Sequence, residues 1–118
     1  MVKKLLVVDD NADIRKVIVA ALSHKRYKIV EAENGNAAIK KLHAERFDLL
    51  ITNYKMPGAD GLEIIEEALS LYPKMPVIFV SGSLSPEVRA RAERLATRVI
   101  EKPFSITDFV ATVSELLK

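Results

Sequence analysis

Five polar residues stand where apolar runs stop. Asp9 and Asp10 follow residues 5–8, Asn53 follows residues 47–52, Ser81 follows residues 76–80, and Lys102 comes shortly after residues 98–100. If they meet, these two carboxylates, a carboxamide, a hydroxyl and an ammonium have a definite chemistry. Paired carboxylates and one further oxygen suit Mg²⁺, a hard cation that takes few protein ligands and keeps waters for a phosphate oxygen to replace. An ammonium and a hydroxyl can hold the remaining phosphoryl oxygens. Each residue alone has a plainer reading. Asp9 or Asp10 would cap a helix, Ser81 would sit in a turn, and Lys102 would be a solvated loop lysine. Their joint placement at four strand ends favours the site.

The elements that must position them are legible as alternating patterns. Residues 5–8, 47–52 and 76–80 are continuous apolar runs rich in β-branched residues, which reads as strands buried on both faces. Residues 27–32 form a weaker strand whose charged and apolar residues alternate, as at a sheet edge. Residues 98–100 form a short fifth strand. Helical stripes follow each one. Ile14, Val17, Ile18, Ala21 and Leu22 make the first, with Asn11 as N-cap, Asp13 in the first turn and Arg15 and Lys16 outside the stripe. His24, Lys25 and Arg26 suit that helix's end.

Asn34-Gly35-Asn36 reads as a turn before a second helix over residues 36–45, on which His43 is a surface residue. The third helix, residues 61–71, turns Leu62, Ile65 and Leu69 inward. Ser85-Pro86-Glu87 opens a fourth with a thin stripe of Val88, Ala92 and Leu95. Ser105 with Asp108 spells a capping box for the fifth, whose stripe of Ile106, Phe109, Val110, Val113, Leu116 and Leu117 is the strongest in the chain. Five βα units with short connections predict a doubly wound α/β fold, a five-stranded parallel sheet of order 2-1-3-4-5 with flavodoxin-like topology. In that order the four strand ends face one crevice, beside the switch point between strands 1 and 3.

The bulk numbers set bounds. At 118 residues the chain reads as a single domain, residues 1–118, long enough to bury a core. A net charge of +2 with scattered basic residues gives no case for nucleic acid binding by this domain. The absence of cysteine removes disulfides, thiolate catalysis and Cys-based metal sites. No run approaches the roughly 18 apolar residues of a membrane span. The short run after Lys3-Lys4 is stopped by Asp9-Asp10, so it is no signal peptide. The expectation is a cytoplasmic protein without a membrane partner. There is no Walker loop and no G-x-G-x-x-G fingerprint, hence no support for nucleotide binding.

Val7-Val8-Asp9-Asp10, Asp48 through Gly61 with its Met56-Pro57 and Asp60-Gly61, Val80-Ser81-Gly82 and Lys102-Pro103-Phe104 together carry a family resemblance. The chain resembles, over essentially its whole length, the receiver domain of two-component response regulators, the chemotaxis-type fold. The resemblance implies that Asp9 and Asp10 hold Mg²⁺, Asp10 more directly, with the backbone carbonyl of Lys55 and the side chain at 53 completing the protein ligands. It implies that Ser81 and Lys102 take phosphoryl oxygens, and that the Lys102-Pro103 peptide is cis. Implied partners are a sensor histidine kinase or phosphotransfer protein, docked near Ile14, Arg15, Ile18, Pro103 and Phe104, and a downstream protein on the face of helix 4, strand 5 and helix 5.

The sequence departs from the family at the centre of the site. The position that matches the family's phosphoacceptor aspartate is Asn53. A carboxylate attacks phosphorus as an anion, whereas a carboxamide is neutral and almost non-nucleophilic. The domain is therefore expected not to take a phosphoryl group at 53, to bind Mg²⁺ more weakly, and to lack the family's self-phosphorylation and dephosphorylation chemistry. A substituted receiver and a natural pseudo-receiver, a binding module independent of phosphorylation, both fit this residue. A flavodoxin-like carrier or small phosphohydrolase on the same topology fits less well, because Asp9-Asp10 stands where a phosphate loop would be. Val99 replaces a usual aromatic, so the family's aromatic swing is not expected here, and Thr97-Arg98 stands where Gly-Ala is frequent. Arg89, Arg91, Arg94 and Arg98 line either a partner face or a solvated one.

Overall fold

The computed structural model describes residues 2–23 and 25–118; His24, read above as a helix-end residue, lies outside the described residues. Ten elements alternate along the chain: β1 (Lys3–Val8), α1 (Ala12–Leu22), β2 (Tyr27–Ala32), α2 (Gly35–Ala44), β3 (Leu49–Thr52), α3 (Gly61–Leu71), β4 (Val77–Ser81), α4 (Pro86–Leu95), β5 (Arg98–Glu101) and α5 (Ile106–Leu116). The strands form one all-parallel sheet in the order β2-β1-β3-β4-β5, as the βα pattern predicts.

β3 and β4 are buried end to end, and β1 from Leu5 onward, because these runs are largely apolar on both pleats. Leu5 and Val7 of β1 face a core shared with Ile18 and Leu22 of α1 and Phe109 and Val113 of α5. Leu6 and Val8 face the opposite core, with Ala38 and Leu42 of α2, Leu62, Ile65 and Ala68 of α3, and Ala92 of α4. Successive side chains of a strand point to opposite faces, so a continuous apolar run serves two helical layers at once. Each large side chain so buried contributes about 1.5–3 kcal/mol relative to exposure.

Element ends differ from the sequence reading for local reasons. β1 starts two residues earlier, because Lys3 and Lys4 pair with Tyr27 and Lys28 before the apolar run begins. α2 starts at Gly35, because Asn34 is its N-cap rather than a free turn residue, with its side-chain oxygen accepting from the Ala37 N–H at 2.8 Å. β3 starts only at Leu49; Asp48 before it turns its carboxylate to the Lys4 N–H at 2.8 Å. β4 and β5 each run one residue further, since Ser81 and Glu101 pair in register. Asp60 and Glu63 form a reciprocal capping box at α3 that the sequence reading missed. At Ser105 the hydroxyl accepts from the Asp108 N–H, one arm of the box read there.

Two stripes, those of α1 and α5, are narrower than their reading. Ile18 is 2% exposed, whereas Val17 is 50% exposed and Ile106 39%. A helix facing a sheet offers about a third of its circumference to the core, and Val17 lies on the shoulder of that arc.

Candidate functional site at the carboxyl end of the sheet

The parallel register carries the sequence-predicted residues to the same end of the sheet. Val8 pairs with Thr52, so Asp9 and Asn53 emerge side by side, and the Asn53 N–H donates to the Val8 carbonyl at 3.2 Å. Both side chains are buried, Asp9 at 2% and Asn53 at 8% exposure. Asp10, the next residue, is exposed at the rim.

The centre of the cluster is the Asn53 carboxamide. Its nitrogen donates toward Asp9 Oδ1 at 3.2 Å, Asp10 Oδ1 at 3.4 Å and the Lys55 carbonyl at 3.3 Å. Lys102 approaches from the other side, with Nζ 3.5 Å from Asp9 Oδ2. Ser81 closes β4 and is tied in through its backbone carbonyl, which accepts from the Lys102 N–H at 2.8 Å. Asp9, Asp10, Asn53, Lys55 and Lys102 thus stand in direct contact, and Ser81 borders them. The Lys102-Pro103 peptide is cis.

Local chemistry holds each piece. Asn11 caps α1, its side-chain oxygen accepting from Asp13 and Ile14 N–H, and its own N–H donates to Asp9 Oδ1 at 2.9 Å. The loop from Asn53 to Gly61 must bend back at once, and the Gly61 N–H donates to the Tyr54 carbonyl at 2.8 Å. A Cβ at Gly61 would stand 2.0 Å from the Asn53 carbonyl oxygen, so only glycine lets α3 begin this close to the site. Gly58 takes φ of 79°, the left-handed region glycine favours.

Burial pushes the Asp9 carboxyl above the usual carboxylate range, and the neighbouring Asp10 charge adds to the rise. The Asn11 N–H and the Lys102 ammonium pull against it without reversing it. A divalent cation between Asp9 and Asp10 would reverse that cost.

The oxygen set fits Mg²⁺ in kind. Asp9 Oδ1, Asp10 Oδ1 and the Lys55 carbonyl converge on one position, and Asn53 Oδ1 is a buried acceptor with no hydrogen-bond partner among the described residues. All are hard oxygens, the donors this ion prefers. No group of three or more His, Cys, Asp or Glu occurs in metal-binding reach among the described residues. At this pocket the reason is plain: the third side chain is an amide.

Arg15 belongs to the site's surroundings, which its place outside the helical stripe did not reveal. Its guanidinium donates to the Asp9 carbonyl at 2.6 Å and to Glu31 at 3.1 Å. Two of the residues read as a docking surface therefore face inward. Ile18 lies in the core and Arg15 is turned to β1 and β2, while Ile14, Val17, Pro103, Phe104 and Ile106 line a groove of about 420 Å³ beside Lys102.

Over residues 5–114 the chain matches the family model described as the response regulator receiver domain. The chain belongs to that family. This receiver domain is 31% identical over 119 residues to the response regulator receiver protein CpdR of Brucella abortus, covering 98% of this chain and 97% of CpdR. It is 35% identical to the transcriptional regulatory protein ResD of Bacillus subtilis, over 98% of this chain but 48% of ResD. It therefore spans nearly all of one relative and about half of another. Among solved structures, a CheY-like receiver domain protein from Methanospirillum hungatei superposes with a TM-score of 0.94 at 29% identity, over 99% of this chain and 94% of that one. Receiver domains work in two-component signalling, exchange contacts with histidine kinases or phosphotransfer proteins and with effectors, and generally bind Mg²⁺ at their acidic pocket. No helix among the described residues is long and apolar enough to cross a membrane.

Proposed function

We propose that this receiver keeps the metal- and phosphoryl-recognising pocket of its family but cannot accept a phosphoryl group, because its phosphoacceptor position is Asn53. The observation that supports this most is the seat of the Asn53 side chain, between Asp9, Asp10 and the Lys55 carbonyl, with the Lys102 ammonium on the other carboxylate oxygen of Asp9. Asp9, Asp10, the Lys55 carbonyl and, more weakly, Asn53 Oδ1 would hold Mg²⁺. When bound, the ion would offset the negative charge of an incoming phosphoryl group.

The chain's own residues divide the remaining work. The Lys102 ammonium pairs with a phosphoryl oxygen, and the Ser81 hydroxyl binds another. Asn53 has no anionic oxygen to attack phosphorus, so the group can be held but not transferred. Partners follow from the same reading: a sensor histidine kinase or phosphotransfer protein over the apolar groove of Ile14, Val17, Phe104 and Ile106, and a downstream protein over α4, β5 and α5. The domain would act in the cytoplasm.

A second reading is a phosphorylation-independent binding module. It is favoured by one observation: the amide already links the carboxylates that follow β1 to the loop after β3, so the pocket is held together without phosphate. Incubation of the parent and its Asn53→Asp form with a small acyl phosphate and Mg²⁺, followed by intact mass, decides between them. Gain of one phosphoryl group by the Asp form alone supports the receiver reading. No gain in either supports the module, and gain by the parent overturns the assignment of residue 53.

A further inference from the structure

The Asn53 carboxamide turns its nitrogen toward three oxygens and its own oxygen toward none. Nδ2 lies 3.2 Å from Asp9 Oδ1, 3.4 Å from Asp10 Oδ1 and 3.3 Å from the Lys55 carbonyl. Oδ1 is buried without a hydrogen-bond partner among the described residues. Hydrogen bonding settles which atom is which. The reverse orientation would press an oxygen against three oxygens, two of them on carboxylates, and leave the NH₂ group without those acceptors.

The seating is also imperfect in an informative way. An NH₂ group has two hydrogens, and here it meets three acceptors. All three contacts are long beside the roughly 2.9–3.0 Å of an ordinary N–H···O bond. The amide therefore spans the oxygens with a partial positive charge, loosely, at the point on which they converge. A divalent cation would span the same oxygens with a full charge and shorter contacts of about 2.0–2.1 Å. The two cannot do so together while Nδ2 points inward.

We infer that the Asn53 carboxamide is a rival of the divalent cation, with its NH₂ group bridging Asp9, Asp10 and the Lys55 carbonyl, and that the amide must turn its oxygen inward before the cation enters. The inference rests on the reading of those oxygens as cation ligands. It differs from a simple loss of ligand charge, which any neutral residue at 53 would produce. Under simple loss, the amide is a poor ligand but still a helpful one. Under rivalry, it works against the cation, and its removal costs the cation nothing.

The test is an NMR titration with MgCl₂ of the parent, Asn53→Ala and Asn53→Asp, each first shown to be folded by thermal melting. The Asn53 side-chain NH₂ signals are followed together with the backbone signals of Asp9, Asp10 and Lys55. Rivalry expects the NH₂ pair to shift, and its hydrogens to exchange faster with water, along the same saturation curve as Asp9 and Asp10. It also expects Asn53→Ala, which loses the rival and an oxygen together, to bind Mg²⁺ at least as tightly as the parent. An NH₂ pair that stays put while Asp9 and Asp10 shift overturns the inference, and so does weaker binding by the Ala form. If the parent does not bind at all, binding by Asn53→Ala supports rivalry; binding by Asn53→Asp alone overturns it. Failure of the cation-site reading looks different, since then none of the three proteins responds to Mg²⁺. The parent's own NH₂ signals keep the inference falsifiable should the Ala form not fold.

Discussion

Asp9 and Asn53 stand at the ends of β1 and β3, strands whose apolar residues are buried against helices on both faces. Lys102 follows β5, an edge strand whose residues are exposed or half-buried. The two halves of one pocket are thus held by different means. In the acidic half the core fixes the backbone, the parallel register fixes the spacing of the side chains, and a glycine at 61 lets the next helix start against them. In the basic half a long side chain, about a quarter exposed, reaches across 3.5 Å to one carboxylate. A change in the first half is felt as strain or as like charges forced together. A change in the second half costs one solvent-screened attraction.

The flank of α4, β5 and α5 extends the second style. Arg89 pairs with Glu101, Arg91 with Glu66 at 3.1 Å and Arg98 with Glu115 at 3.0 Å, all at the surface. Three of the four arginines read as either partner-facing or solvated are therefore engaged within the domain. α4 contributes only Ala92 to the buried core. Every other helix contributes at least two buried residues.

The contrast makes graded predictions. The largest effect is expected from Gly61→Ala. Its new methyl meets the Asn53 carbonyl oxygen at 2.0 Å and Phe79 at 3.0 Å, so backbone must move, and a loss of about 3 kcal/mol in denaturant unfolding is expected. A loss below about 1 kcal/mol would show that the acidic half is less tightly held than argued. Next is Asn53→Asp. Without Mg²⁺ it turns three donor contacts into repulsions with two carboxylates and a carbonyl, and it lowers stability by about 1–2 kcal/mol. With Mg²⁺ the order of the melting temperatures of parent and variant narrows or reverses. An Asp form that melts higher than the parent in the absence of metal breaks the argument.

A smaller effect, about 1 kcal/mol, is expected from Lys102→Met, whose partner Asp9 is buried but whose own side chain is partly in water. Because the ammonium pulls the Asp9 carboxyl down, its removal raises that pKa further, which carboxyl-detected NMR titration would read directly. A matching pH dependence follows for the parent in chelator. The folded-state pKa of Asp9 lies above its ordinary value of 3.8, so the folded form holds this proton more tightly than the unfolded chain. Its contribution to stability is fully present below 3.8 and is lost as pH rises through the raised value. Denaturant melts should show that fall for the parent but not for Asp9→Asn. The smallest effect, within about 0.5 kcal/mol, is expected from Arg98→Ala, which opens one exposed pair. A loss as large as that of Lys102→Met would mean that the flank is held as firmly as the pocket.

Much of this was written along the chain. Uniformly apolar strands alternating with helical stripes point to a parallel sheet covered on both faces, and the five βα units fit the 2-1-3-4-5 order best. The strand ends then name Asp9, Asp10, Asn53, Ser81 and Lys102 without any coordinates. What stayed hidden depended on direction rather than position. Ile14, Val17, Ile18, Ala21 and Leu22 make one apolar stripe on paper; only the angle at which α1 lies on the sheet decided that Ile18 is core and Val17 is surface. Arg15 reads as solvent-facing from its helical phase, yet its long side chain folds back onto the Asp9 carbonyl. Asn34 reads as a turn, and whether such a residue bends the chain or caps a helix is settled by where its oxygen finds an N–H.

The same division runs through residue 53. Its type, a neutral amide, and its place at the end of an apolar run were legible from sequence alone. Which end of the amide faces the carboxylates was decided only in three dimensions. Two carboxylates from the turn after β1 and a carbonyl from the loop after β3 come together there only when the sheet forms, and their combined demand for a donor turns the nitrogen inward.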